Sequence, residues 1–332
     1  MFPTTYRGRR AAAIENDALR VTVLHEGGHI AEIFDKESRV NPLWTPPWKS
    51  IEPSAYNGEY GNGVESRLLG GIMGHNLCLD LFGGPSDEEF AAGIGVHGEA
   101  SVEPYQIEGG IMRTRLPLAG LAFERRIELR GRAVRIAESV TNLSATDRPI
   151  AWTQHVTLGP PFLERGVTQF RASATRSKSF ETQFGEDDYL PPGLEFDWPH
   201  GLDTFTALPK SSAYTAHLMD PARENGYFVA YSPTHRLAFG YVWKRSDFPW
   251  LGIWEENHSR TQAPWNGETL ARGMEFGVSP IPETRRAMID RGKLFGVPCY
   301  RWLPAKSTME VEYWAVCSGA IASWENSLPD TR

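Results

Sequence analysis

Val134-Arg135-Ile136-Ala137-Glu138-Ser139-Val140 alternates apolar and polar residues, the period of a strand that buries one face. Asn142-Leu143-Ser144-Ala145-Thr146-Asp147 then supplies turn chemistry. Pro149 restarts an extended segment, Ile150-Ala151-Trp152-Thr153-Gln154-His155, which ends at Leu158-Gly159-Pro160-Pro161. An imidazole at a strand end, beside a stiff loop, is well placed to move protons.

Working outward, the same β signature recurs. Leu19 to Leu24 and His29 to Phe34 flank a Gly27-Gly28 turn and read as a hairpin. Strands are expected at 100–107, 110–116 and 122–129, and a second hairpin at 227–231 and 237–243. Leu237, Phe239, Tyr241 and Trp243 share one face of that hairpin. Met309, Val311, Tyr313 and Ala315 mark a late strand. Asp87 to Ala92 reads as one helical turn. Asn41 to Lys49 (NPLWTPPWK) is too rich in proline for a central strand or a helix. The glycine-studded 56–74 stretch is expected at the surface or the rim of a site. Asp187 to His200 reads as a long excursion over the fold. No repeat or compositional break divides the 332 residues, so one large antiparallel β domain is expected over 1–332.

Hydrophobic residues at 41% allow a sizeable core. Lys+Arg 34 against Asp+Glu 41 gives a net charge of -7 without a basic cluster, which argues against a nucleic-acid partner. No run approaches the length of a membrane helix, so no membrane partner is expected. The 3 cysteines, Cys78, Cys299 and Cys317, form no CxxC pair and read as reduced thiols. With no apolar stretch behind Arg9-Arg10, a cytoplasmic protein is expected.

Four places carry candidate chemistry: Gly95-Val96-His97-Gly98-Glu99, His155, Asp247 to His258 (DFPWLGIWEENH), and Arg272-Gly273-Met274-Glu275-Phe276-Gly277. A metal reading would use His97 and Glu99 with His75 or His155, but no HxH or HExxH pattern supports it. No GxSxG elbow points to a nucleophilic serine.

These four stretches resemble, in order, motifs of the aldose 1-epimerase (galactose mutarotase) superfamily. Thr141-Asn142 through Pro149 to His155 resembles the family's "tNxSdkPxxxxxxHxYFNL", and Val96 to Glu99 its "LHGG". Asp247 to Trp254 resembles "dxPGLQFYT", and Met274 to Pro280 resembles "CLETQxxPDA". Thr157 to Pro160 stand where the family has Tyr-Phe-Asn-Leu, which marks a divergent member. The resemblance implies a large antiparallel β-sandwich with the site in an open cleft. It also implies Glu275 as general base, His155 as general acid and His97 as a substrate-orienting histidine. Arg67, His75, Trp152, Trp254 and Glu255 are the binding candidates.

Exchange of sugar anomers needs a proton taken from the anomeric hydroxyl and one given to the ring oxygen. A carboxylate and an imidazole on opposite sides of the ring would suffice, without metal or cofactor. The expected partner is a small sugar or sugar derivative, and the expected state a monomer or homodimer. The rival readings are a non-catalytic carbohydrate-binding or sensing protein, and a lyase or glycosidase on the same scaffold. The glycosidase would need a second carboxylate near Glu275, at Glu255 or Glu256.

Overall fold

Two antiparallel sheets face each other in the computed structural model, which describes residues 1–326. The larger has 12 strands, and its centre runs His75–Asp80, Arg148–Leu158, Leu270–Gly277, Trp250–Asn257, Ser211–Met219. The smaller has 8 strands, centred on Asn225–Ser232, Leu237–Lys244, Thr308–Ser318, Ala133–Asn142 and Leu121–Arg130. Apolar side chains from both sheets, among them Leu77, Trp152, Phe276, Ile136, Phe239 and Tyr313, make one continuous core. This is the expected β-sandwich.

The Asn142–Asp147 turn carries the chain from the smaller sheet to the larger. Asn142 organises it: its Oδ1 accepts from Ser144 N at 2.9 Å and Ser144 Oγ at 2.7 Å. Its Nδ2 donates to Thr146 O at 2.9 Å. A short polar side chain thus stands in for missing ladder bonds, as asparagine commonly does in turns.

Both expected hairpins form, as Leu19–Leu24 with Ile30–Asp35 and Asn225–Ser232 with Leu237–Lys244. The helical turn forms at Asp87–Ala91, closed by a Ser86/Glu89 capping box. The strand expected at 100–107 is reduced to Gln106–Glu108. Upstream, the Glu99 carboxylate accepts from Leu118 N at 3.1 Å and Ala119 N at 2.7 Å, while Val102 N and Glu103 N turn back to Glu99 O. Those bonds hold a turn, and beyond it the segment makes only an isolated bridge, Pro104 to Glu26, before Gln106. The 56–74 stretch contains a helix that alternation does not reveal, Ser66–Gly71. The cysteines are buried and unpaired, and among the described residues no helix is long and apolar enough to cross a membrane.

Between the sheets lies a buried polar network. Arg125 Nε donates to Glu138 Oε1 at 2.7 Å, with both side chains at most 1% exposed. Glu138 also accepts from Gln154 Nε2 at 2.6 Å, Trp152 Nε1 at 3.1 Å and Tyr313 OH at 2.6 Å. Gln154 Oε1 in turn accepts from His75 Nε2 at 2.9 Å. Burial keeps His75 neutral, far below its ordinary pKa, so its Nδ1 accepts from Tyr241 OH at 3.0 Å.

Candidate active site

Register places the site. His155 lies directly opposite Glu275 on one neighbour strand and Asn76 on the other. Side chains alternate along a strand, so odd-numbered residues of Arg148–Leu158 face away from the sandwich core while Trp152, Gln154 and Val156 face into it. Glu275 shares the outward face with Trp254, whose strand is next in the sheet. Loops cover that face, leaving a cavity of about 180 Å³ lined by His97, His155, Glu275, Trp254, Tyr214 and Phe82. Leu68, Leu69, Phe184, Glu65, Arg260 and Trp265 complete much of the wall.

The His155 and Glu275 side chains are 7% and 2% exposed, and Nε2 of His155 lies 3.1 Å from Oε1 of Glu275. The approach lacks hydrogen-bond angles, so Oε1 is a buried acceptor with no hydrogen bond of its own. Such an atom is costly unless something else uses it. Burial raises the Glu275 carboxyl well above its ordinary range. Burial, and then the neighbouring His97, pushes the His155 imidazole well below its ordinary value. Both directions disfavour charge, so between the two titration steps the couple holds a single proton, resting on the Glu275 carboxyl beside a neutral imidazole.

His97 enters from a loop, in the left-handed region at φ +67°, followed by Gly98 at +76°. A Cβ on Gly98 would lie 2.3 Å from Leu79 O, so the glycine lets this loop press against the strand. The His97 Nδ1–H donates to Phe82 O at 2.6 Å. Burial lowers its pKa to about 4, leaving a neutral ring with Nε2 as an acceptor. Imidazole NMR is therefore expected to find His97 neutral and protonated on Nδ1 from pH 5 to 8, conditions under which an ordinary histidine titrates. Its ring centroid is 5.0 Å from that of His155, and the Trp254 centroid is 6.0 Å from His155.

Gly273, two residues before Glu275 on the same strand and directly opposite Trp254, keeps the carboxylate in place. A Cβ there would lie 2.4 Å from Glu275 Oε1 and 3.2 Å from Trp254 Cβ. The Glu275 side chain is the softer of the two neighbours. Gly273→Ala is expected to fold normally yet lose about 10²-fold in activity through a displaced carboxylate. Matching circular dichroism alongside steady-state rates checks both halves.

Of the residues expected from sequence, His97, His155, Glu275 and Trp254 meet in this cavity. Four others do not. His75 and Trp152 project into the core, in the network described above. Glu255, next to Trp254, also points inward, where it accepts from Ser211 Oγ at 2.8 Å and Tyr189 OH at 3.4 Å. Arg67 is solvent-facing on its helix, bonded to Pro53 O and 3.9 Å from Glu103. His155 and Glu275, the expected acid and base, stand side by side, contrary to the opposite-sides expectation, because the cross-strand register pairs them.

The sequence reading missed Arg260, Trp265, Tyr214 and Phe82. Trp265 packs on Trp44 and Trp48 of the proline-rich segment, with centroids 6.2 and 5.0 Å away. That segment packs behind Trp265 at the edge of the cavity. For the metal reading, His97 Nδ1 and the Glu99 carboxylate are already bonded to backbone. No group of three or more His, Cys, Asp or Glu among the described residues could hold a metal ion.

No family model matches the sequence, and no curated protein does. Solved structures do match over nearly the whole chain. A candidate aldose 1-epimerase from Klebsiella pneumoniae superposes with a TM-score of 0.72 at 15% identity, covering 96% of this chain and 82% of that one. A galactose mutarotase-like protein from Clostridium acetobutylicum gives 0.62 at 14%, covering 96% and 98%. A galactose mutarotase related enzyme from Lactobacillus acidophilus gives 0.61 at 14%, covering 94% and 98%. At these identities the likeness is one of architecture: the chain has the galactose mutarotase-like β-sandwich in a divergent sequence.

Proposed function

We propose that this chain is a sugar 1-epimerase, interconverting the anomers of a small sugar by ring opening and closure. The observation that carries this reading is the His155–Glu275 couple, 3.1 Å apart and nearly dry, on one wall of a cavity flanked by Trp254. The two oxygens that exchange protons in this reaction, the anomeric hydroxyl and the ring oxygen, hang on one carbon. Acid and base must then be neighbours, and a cross-strand pair provides that.

The shared proton passes from Glu275 to His155 across the 3.1 Å gap; the carboxylate then takes the proton of the anomeric hydroxyl while the imidazolium gives one to the ring oxygen. The opened aldehyde turns about its bond, and closure reverses both transfers. The couple starts and ends with the same single proton, so neither metal nor cofactor enters the balance. His97 Nε2, neutral and unbonded to its own backbone, accepts from a sugar hydroxyl and orients the ring. Trp254 offers an aromatic face to the C–H side of the sugar. A cavity of about 180 Å³ is smaller than a drug-sized pocket of roughly 300–1,000 Å³ and suits one ring.

The glycosidase reading finds less support. Glu255 lies on the other face of its strand, and Glu256 Oε1 is held by Ser259 N at 2.7 Å and Arg260 N at 2.9 Å. NMR magnetisation transfer between anomers, across a panel of free aldoses, tests the proposal. Acceleration of at least one sugar over the buffer rate is expected. Release of a leaving group from glycosides, with no anomer exchange on any aldose, would move the chain to the hydrolases.

A further inference from the structure

We propose that Arg260 is a substrate-binding residue that grips two neighbouring hydroxyls on the side of the sugar remote from C1, and so selects among epimers. This rests on the sugar-epimerase reading above. Arg260 stands in the 258–269 connection between the strands that carry Trp254 and Glu275. Such antiparallel connections usually take about two to five residues, and long structured ones are commonly functional. This one is tied down from within: Gly267 N donates to Arg260 O at 2.8 Å, and the His258 Nδ1–H to Gly267 O at 2.8 Å.

The guanidinium is equally fixed. It lies 4.8 Å from the Trp265 ring centroid and 5.6 Å from that of Trp254, where the π faces attract a cation. Its Nε is 3.5 Å from Glu256 Oε2, while Glu256 Oε1 holds the backbone of Arg260 itself. The side chain is 25% exposed and lines the same cavity as His155 and Glu275. A planar fork held in this way is organised before substrate arrives, which lowers the cost of each hydrogen bond it makes.

Trp254 neighbours both residues: its ring centroid is 5.6 Å from the guanidinium carbon of Arg260 and 6.0 Å from the ring centroid of His155. A sugar whose C1 meets the couple therefore runs across the indole toward Arg260. Hydroxyls, and not an anionic group, are the fitting target. Glu256 already answers the charge of Arg260, and Glu65 adds a further carboxylate to the lining. An anion-binding site requires surplus positive charge.

The test uses Arg260→Met, which keeps the apolar stem over the tryptophans, and Arg260→Lys, which keeps charge without the fork. Anomer exchange gives KM and kcat, and quenching of indole fluorescence gives binding of the same free and deoxy aldoses. Arg260→Met is expected to raise KM about 10–100-fold with kcat nearly unchanged, and Arg260→Lys to fall between it and wild type. A sugar lacking the gripped hydroxyls should bind wild type and Arg260→Met alike. Unchanged KM in both variants, or tighter binding of a sugar 6-phosphate than of the free sugar, would overturn the assignment while leaving the epimerase reading intact. Sugar binding that Arg260→Met weakens, in a protein that exchanges no anomers, would keep the assignment and remove the reading. Silence of the fluorescence toward every sugar overturns both.

Discussion

Glu275→Gln is expected to lower anomer exchange by about 10²–10⁴-fold, the usual worth of one general base, while the protein folds as before. The amide is nearly isosteric and keeps a hydrogen-bond acceptor beside His155, but it cannot take a proton. The substitution also has a signature in stability. The folded pKa of Glu275 is raised by burial, so its contribution is fully present below the unfolded value of roughly 4.3 and is lost as pH rises through the folded value. His155 has the opposite sign: its pKa is depressed, so its contribution is present above roughly 6.5 and is lost as pH falls. Glu275→Gln removes the first dependence alone. Denaturant midpoints at pH 5 and pH 9 should show the variant gaining on wild type at the higher pH. Activity within a factor of two or so of wild type, about 0.4 kcal/mol on the barrier, would take Glu275 out of the chemistry.

Arg125→Met is expected to cost about 3–5 kcal/mol in stability, the largest loss foreseen for a residue that never touches the cavity. It strips the counter-ion from Glu138 in the dry interior, where water cannot replace it. It also leaves Gly28 O without the guanidinium that donates to it at 3.0 Å. Trp152, Gln154 and Tyr313 still donate to Glu138, so the carboxylate stays hydrogen-bonded but uncompensated. Replacing both charges, as Arg125→Met with Glu138→Leu, should recover part of the loss, because no lone charge then remains buried. Chemical denaturation of the single and double variants measures this directly. A double variant losing the full sum of the two single losses would show that the pair is not coupled as described.

The hairpins were legible because large core-facing residues alternate with smaller or more polar ones, even where both faces are buried, as in Leu237–Lys244. In Leu237–Lys244 the residues 237, 239, 241 and 243 do form the inner face. Legibility fails at the centre of the large sheet. Ser211–Met219 is buried along its whole length, since loops cover its outer side, and its sequence SSAYTAHLM shows no alternation. The site was legible in part for the same reason. Motif order located His97, His155 and Glu275, but the candidates around them ignored the two-residue period of a strand. With His155 facing the cavity, Trp152 three residues away must face the core. Trp254 and Glu255, being adjacent, cannot share a face, and a one-residue slip decides between them. Arg260 carries no local signal at all, since its place depends on how a long connection folds over two tryptophans.

The central claim is that the anomeric carbon meets the His155–Glu275 couple. A crystal structure of Glu275→Gln with an aldose bound tests it most directly. The anomeric hydroxyl and the ring oxygen are expected within hydrogen-bond reach of residues 275 and 155, with the ring against Trp254. A sugar seated with C1 turned away from both side chains, or bound elsewhere on the sandwich, would contradict it.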